Sequence, residues 1–110
     1  MDEPTAVESL AALAQVMRLR VFRALIGAAR HGMTPGTLAA TLDVPASTLS
    51  FHLKELSAAG LVHGEPQGRY VCYRADFGAM NALIGFLTHN CCVGSTASDC
   101  VPPTTKGRSE

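Results

Sequence analysis

The chain has 110 residues, which sets one domain as the expectation. Its apolar fraction is 47% and its charged fraction 16%, values that give a packed core and exclude wholesale disorder. Formal net charge is zero, yet residues 18–74 hold seven basic side chains against three acidic ones, so the positive charge is concentrated mid-chain where a binding surface can form. No apolar run approaches the roughly 18 residues of a membrane span. The acidic start Met1-Asp2-Glu3-Pro4 lacks the features of a secretory signal. The expected location is therefore cytoplasmic, with four cysteines as reduced thiols rather than structural disulfides.

In chain order, Pro4 suits a first helical turn, and Val7, Leu10, Ala14 and Met17 follow at helical spacing. A second helical pattern runs through Leu19, Phe22, Leu25 and Ile26, with Gly32 as its stop. Ala14-Gln15-Val16 contains no breaker, so the junction of the two is not marked. Thr34-Pro35 reads as N-cap and first helical position, with Leu38, Ala39 and Leu42 inward. Asp43-Val44-Pro45 then connects to a helix over about Ala46 to Ala59, ended by Gly60 and carrying the stripe Leu49, Leu53 and Leu56. Two such helices joined by a short turn form a helix-turn-helix.

Leu61-Val62-His63 and Tyr70-Val71-Cys72-Tyr73 are the expected strands of a hairpin, with turn chemistry at Glu65-Pro66-Gln67-Gly68. Asp76 is the N-cap of a last helix bearing Phe77, Met80, Leu83, Ile84 and Leu87. The fold expected is mainly α with a small β-hairpin: a winged helix-turn-helix domain over 1–93 and a flexible tail over 94–110.

The helix over 46–59 directs Ser47, Thr48, Ser50, Phe51 and Lys54 away from its leucine stripe. Small hydroxylic residues let a helix sit deep in the major groove, and Lys54 neutralises a phosphate. Arg69 after the wing turn reaches backbone or a narrow minor groove. The candidate DNA-binding residues are Ser47, Thr48, Ser50, His52, Lys54 and Arg69. His52 lies at the edge of the stripe and has two readings, a phosphate contact or a half-buried ring bonded to backbone.

Ser47 through Leu56, followed by Ala59-Gly60-Leu61-Val62, resembles the recognition helix and following turn of the ArsR/SmtB repressors. Gly68-Arg69-Tyr70 and Tyr73-Arg74 look like that family's wing, and Arg18-Leu19-Arg20-Val21-Phe22 like its second-helix motif. The resemblance spans about residues 5–92. It implies a homodimer, paired through its first and last helices, that binds double-stranded operator DNA and releases it when a metal or metalloid binds.

Cys91, Cys92 and Cys100 fall within ten positions of a polar stretch where packing does not call for them. The seven residues between Cys92 and Cys100 span at most about 25 Å, and closing so short a loop costs little entropy. Thiolates prefer soft ions. Trivalent arsenic or antimony takes three sulfurs in a pyramid; zinc or cadmium takes four ligands, which His89 completes. A thiol redox pair is the third alternative. The resemblance favours arsenic, because some arsenic-responsive members carry Asn-Cys-Cys at the end of the last helix and one cysteine downstream, as Asn90-Cys91-Cys92 and Cys100 do here. The cysteine variant at the recognition module is absent, since residues 34–58 contain none. Consecutive side chains on a helix diverge, so a shared ion requires the last helix to end near Asn90. Cys72, alternating on a strand, reads as a small buried hydrophobe. With no triad and no phosphate loop, the chain is not expected to be an enzyme.

Overall fold

The computed structural model describes residues 1–90. Five helices and one hairpin follow in the order α1 (Glu3–Leu13), α2 (Val16–Ala28), a 3-10 turn (Ala29–His31), α3 (Pro35–Leu42), α4 (Ala46–Ala58), β1 (Val62–Gln67), β2 (Tyr70–Ala75) and α5 (Phe77–Thr88). The core is a single cluster: Val21, Phe22 and Leu25 of α2, Leu38 of α3, Leu49, Leu53 and Leu56 of α4, with Leu61, Val62 and Ala75 at the root of the hairpin. The apolar sides of α2, α3 and α4 and the root of the hairpin together exclude water from a space no one element encloses.

The break between α1 and α2 is made by Gln15, not by glycine or proline. Its backbone is extended and its side-chain oxygen accepts from the Arg18 amide at 2.8 Å, which caps α2. Arg18 Nε donates to the Ala12 carbonyl at 2.7 Å, satisfying an acceptor left open at the end of α1. Ala14 and Met17 therefore do not continue the first helix. The inward residues of α1 are the small Ala6 and Ser9, while Val7 and Leu10 are turned to solvent, a correction to the stripe read from spacing. On α2, Val21 is buried and Leu19 exposed. Small residues let α1 lie close on its neighbours, and the large apolar ones are displaced to its outer face.

Thr34 caps α3 as expected, its hydroxyl accepting from the Thr37 amide. Asp43 takes the left-handed conformation (φ 56°, ψ 53°) that ends α3. The hairpin is longer than the sequence signals indicate. Its register pairs Val62 with Ala75 and Gln67 with Tyr70, so the turn is Gly68-Arg69, with Gly68 at φ 63°. Glu65, Pro66 and Gln67 belong to β1, because proline is tolerated on a two-stranded ribbon with a free edge. The hairpin is moored to the segment before α3. Met33 and Tyr73 exchange backbone hydrogen bonds at 2.9 and 2.8 Å, Cys72 Sγ donates to the His31 carbonyl at 3.2 Å, and Arg74 Nε donates to the Arg30 carbonyl at 2.8 Å. Cys72 is buried.

Candidate nucleic-acid interface and thiol segment

Helix α4 begins at Pro45 without a side-chain cap, so its first amides have no side-chain acceptor. Its inner side holds Leu49, His52, Leu53 and Leu56. Ser47, Thr48, Ser50 and Lys54 are exposed. Arg69 stands at the exposed tip of the hairpin. Neither Lys54 nor Arg69 has a carboxylate partner among the described residues, whereas Arg74 pairs with Glu65 and is held within the hairpin. Two free cations and three hydroxyls thus face water on the helix and the wing, without a competing internal ion pair.

His52 is placed otherwise. It is only 7% exposed, at the core side of α4, and its Nδ1 has no hydrogen-bond partner among the described residues. Burial, and then the nearby Arg18 guanidinium, push its pKa below the ordinary histidine value, so it is held neutral. A ring placed this way favours the reading of His52 as a core-edge histidine over that of a phosphate contact. The backbone bond of the other reading is also missing at Nδ1. Two exposed aromatic residues were not among the candidate contacts, Phe51 on α4 and Tyr70 beside Arg69. Phe51 was legible from helical spacing as an outward residue; the exposure of Tyr70 follows from a register the sequence did not fix.

Asp76 accepts from the Ala79 amide at 2.8 Å and caps α5, while its second oxygen lies 2.6 Å from His63 Nε2 on β1. That helix ends at Thr88, with His89 as C-cap and Asn90 at φ 64°. The helix thus ends just before Asn90. Cys91, Cys92 and Cys100 themselves lie outside the described residues. Among the described residues no group of three His, Cys, Asp or Glu side chains is placed to hold a metal ion. No helix among them is long and apolar enough to cross a membrane. On α5 only Leu83 is buried; Ile84, Phe86 and Leu87 are exposed, as are Val7 and Leu10 on α1.

A family described as a helix-turn-helix domain matches residues 13–65, which spans α2 through most of β1. Among solved structures, the chain is similar to an ArsR-like transcriptional regulator from Rhodococcus sp. RHA1 at 28% identity, covering 76% of each chain with a TM-score of 0.69. It is also similar to HlyU from Vibrio cholerae N16961 at 29% identity, covering 84% of this chain and 99% of that one with a TM-score of 0.66. A homodimeric winged helix-turn-helix DNA-binding domain from Mycobacterium bovis shares the fold at 21% identity, covering 78% and 84% with a TM-score of 0.64. No curated protein matches the chain. With its helix-turn-helix, its moored wing and these neighbours, the chain carries a helix-turn-helix domain in the winged fold of ArsR-like transcriptional regulators.

Proposed function

We propose that this chain is an ArsR-family repressor that binds operator DNA as a homodimer and releases it when Cys91, Cys92 and Cys100 bind trivalent arsenic or antimony. The observation that carries DNA binding is the division of α4, with leucines in the core and Ser47, Thr48, Ser50 and Lys54 in water, beside Arg69 on the wing. In a major groove the hydroxyls meet base edges or phosphates, and the two cations meet phosphates. Pairing of subunits is supported by the apolar side chains that α1 and α5 leave exposed. Val7 is 58% exposed, Ile84 51% and Leu87 57%, a concentration that a second copy would cover. Dimerisation would set two recognition helices to read half-sites about 34–36 Å apart.

The inducer is argued from donor chemistry. Three thiols in one short segment suit a soft pyramidal ion, and no obligatory fourth ligand is needed. The end of α5 at Thr88 supports the reading, because two consecutive cysteines on a continuing helix would diverge. Because α5 also carries part of the exposed apolar face, its C-terminal end is a place where ligand binding and subunit pairing meet. His89, exposed at the C-cap, is the nitrogen donor nearest in sequence for a zinc or cadmium alternative.

The test is fluorescence anisotropy of the labelled DNA upstream of the gene, titrated with arsenite and separately with zinc or an oxidant. Arsenite is expected to release the wild type and the Cys72→Ser variant, but not Cys91→Ser, Cys92→Ser or Cys100→Ser. Release by zinc or an oxidant alone overturns the inducer and leaves the DNA reading standing. Net proton release adds a check: arsenous acid carries off thiol protons as water, with a balance near zero, whereas a divalent ion expels up to about three.

A further inference from the structure

Phe51 is 55% exposed at the middle of the outward face of α4. At 3.6 residues per turn, Ser47, Phe51 and Lys54 fall within about 60° of one another, opposite the stripe of Leu49, Leu53 and Leu56. The phenyl ring is thus flanked by a hydroxyl and a free cation on the face that the DNA reading turns to the groove. Its only described aromatic neighbour is His52, edge-on with ring centroids 5.6 Å apart, on the core side. Glu55, one turn on from Phe51, also lines an open cleft with Glu8 and Arg18.

We infer that Phe51 is a specificity-determining residue that reads the C5-methyl group of a thymine in the major groove, an inference that rests on the DNA reading above. The groove edges of the bases present hydrogen-bond donors and acceptors almost throughout, and the thymine methyl is the apolar group among them. A phenyl ring has no donor or acceptor to offer there, so its match is that methyl. The flanking Lys54 and Ser47 anchor the helix on phosphate or base edges and leave the ring between them to sort A·T from G·C pairs. An apolar protein partner is a poorer occupant, because a lysine beside the ring would lose its hydration on docking.

The experiment begins with the wild-type protein and a random-sequence duplex pool, from which bound DNA is selected and sequenced. Each thymine of the selected duplex is then replaced singly by deoxyuridine, which removes one methyl group and preserves pairing. One thymine per half-site is expected to lose about fourfold in affinity on this swap, the factor for burying one methylene-sized group. Phe51→Ala is expected to bind that duplex more weakly and to hold thymine and uracil equally. It should fold normally, which circular dichroism checks, since the ring is half in solvent. The inference is overturned if every swap is silent for the wild type, or if Phe51→Ala still discriminates. If no sequence is enriched, the DNA reading fails first and the role of Phe51 fails with it.

Discussion

His63 Nε2 lies 2.6 Å from Asp76 Oδ2, and the other oxygen of the same carboxylate caps α5 at the Ala79 amide. One side chain therefore joins the root of the wing to the start of the last helix. Asp76→Ala removes both contacts and is expected to cost about 1 kcal/mol through the cap, with little more from the exposed ion pair. The His63 hydrogen bond first, and the Ala79 amide second, hold the Asp76 carboxyl below its ordinary value of 3.8. A depressed folded pKa gives stability that is fully present above the unfolded value and lost as pH falls through the folded one. The gap in melting temperature between wild type and Asp76→Ala should be constant near neutrality and close only below pH 3.8. A gap that persists at pH 2 would assign the loss to packing instead.

His52 predicts the opposite end of the pH scale. The folded chain holds the ring neutral, while the unfolded chain takes up a proton near the ordinary value of 6.5. Unfolded protein then binds more protons than folded below that pH, so stability is flat above 6.5 and declines as pH falls from there toward the folded pKa. His52→Leu removes the proton uptake and also the unpartnered Nδ1, an atom of a kind that costs about 1–3 kcal/mol when buried unsatisfied. Urea unfolding should find this variant at least as stable as wild type at pH 7.5 and relatively more stable at pH 5. Equal pH slopes for the two proteins would refute the assignment.

Gly32 and Gly27 should respond to alanine with opposite signs. Gly32 has φ +67°, and a Cβ there would lie 2.5 Å from the Tyr73 carbonyl oxygen and 2.7 Å from Cys72 Sγ. The carbonyl belongs to the paired backbone that moors the wing, so it has nowhere to move. Gly32→Ala is expected to cost about 2–3 kcal/mol and roughly 10 °C or more in melting temperature. Gly27 sits in α2 with no atom within 4 Å of its Cβ position, and alanine there should stabilise by up to about 1 kcal/mol. Thermal unfolding of the two variants decides both.

These sites show what the sequence made legible. Thr34, Asp76, Gly60 and the leucines of α4 signal locally, through capping chemistry, φ preference and helical period, and the helix-turn-helix could be read from them. The inner face of α1 could not. Val7 and Leu10 satisfy helical spacing as well as Ala6 and Ser9 do, and only packing against neighbouring helices selects the smaller pair. The hairpin turn was misplaced because Glu65-Pro66-Gln67-Gly68 carries turn residues, while the register is set by Val62 and Ala75 at the root. His52 illustrates a different failure: a histidine at a stripe edge does not announce which side it falls on.

Lys54 and Arg69 separate positioning from reading. Each is exposed and unpaired among the described residues, so its removal should leave the fold intact. Lys54→Ala is expected to weaken binding of all duplexes alike and to reduce the salt slope of log affinity by about one per contacting lysine. Arg69→Ala should do the same if it meets backbone. A larger loss on A·T-rich flanks than on G·C-rich ones would place it in a narrow minor groove. Titrations over a range of salt concentrations, with the same duplex set, measure both.

The apolar face shared by α1 and α5 gives the last test. Ile84 is 51% exposed and Leu87 57%, on the helix whose one buried residue is Leu83. A charge at either position costs the monomer little, because the side chain already stands in water. In a dimer that covers the face, the same charge is buried without a partner, at a penalty of several kcal/mol counted for both copies. Ile84→Glu is therefore expected to halve the mass seen by sedimentation while leaving far-UV circular dichroism unchanged. Operator affinity should collapse with it, since one recognition helix alone cannot span two half-sites. Should Ile84→Glu and Leu87→Glu both sediment as dimers, the subunits pair through another surface, and the exposed side chains of α5 need a different explanation.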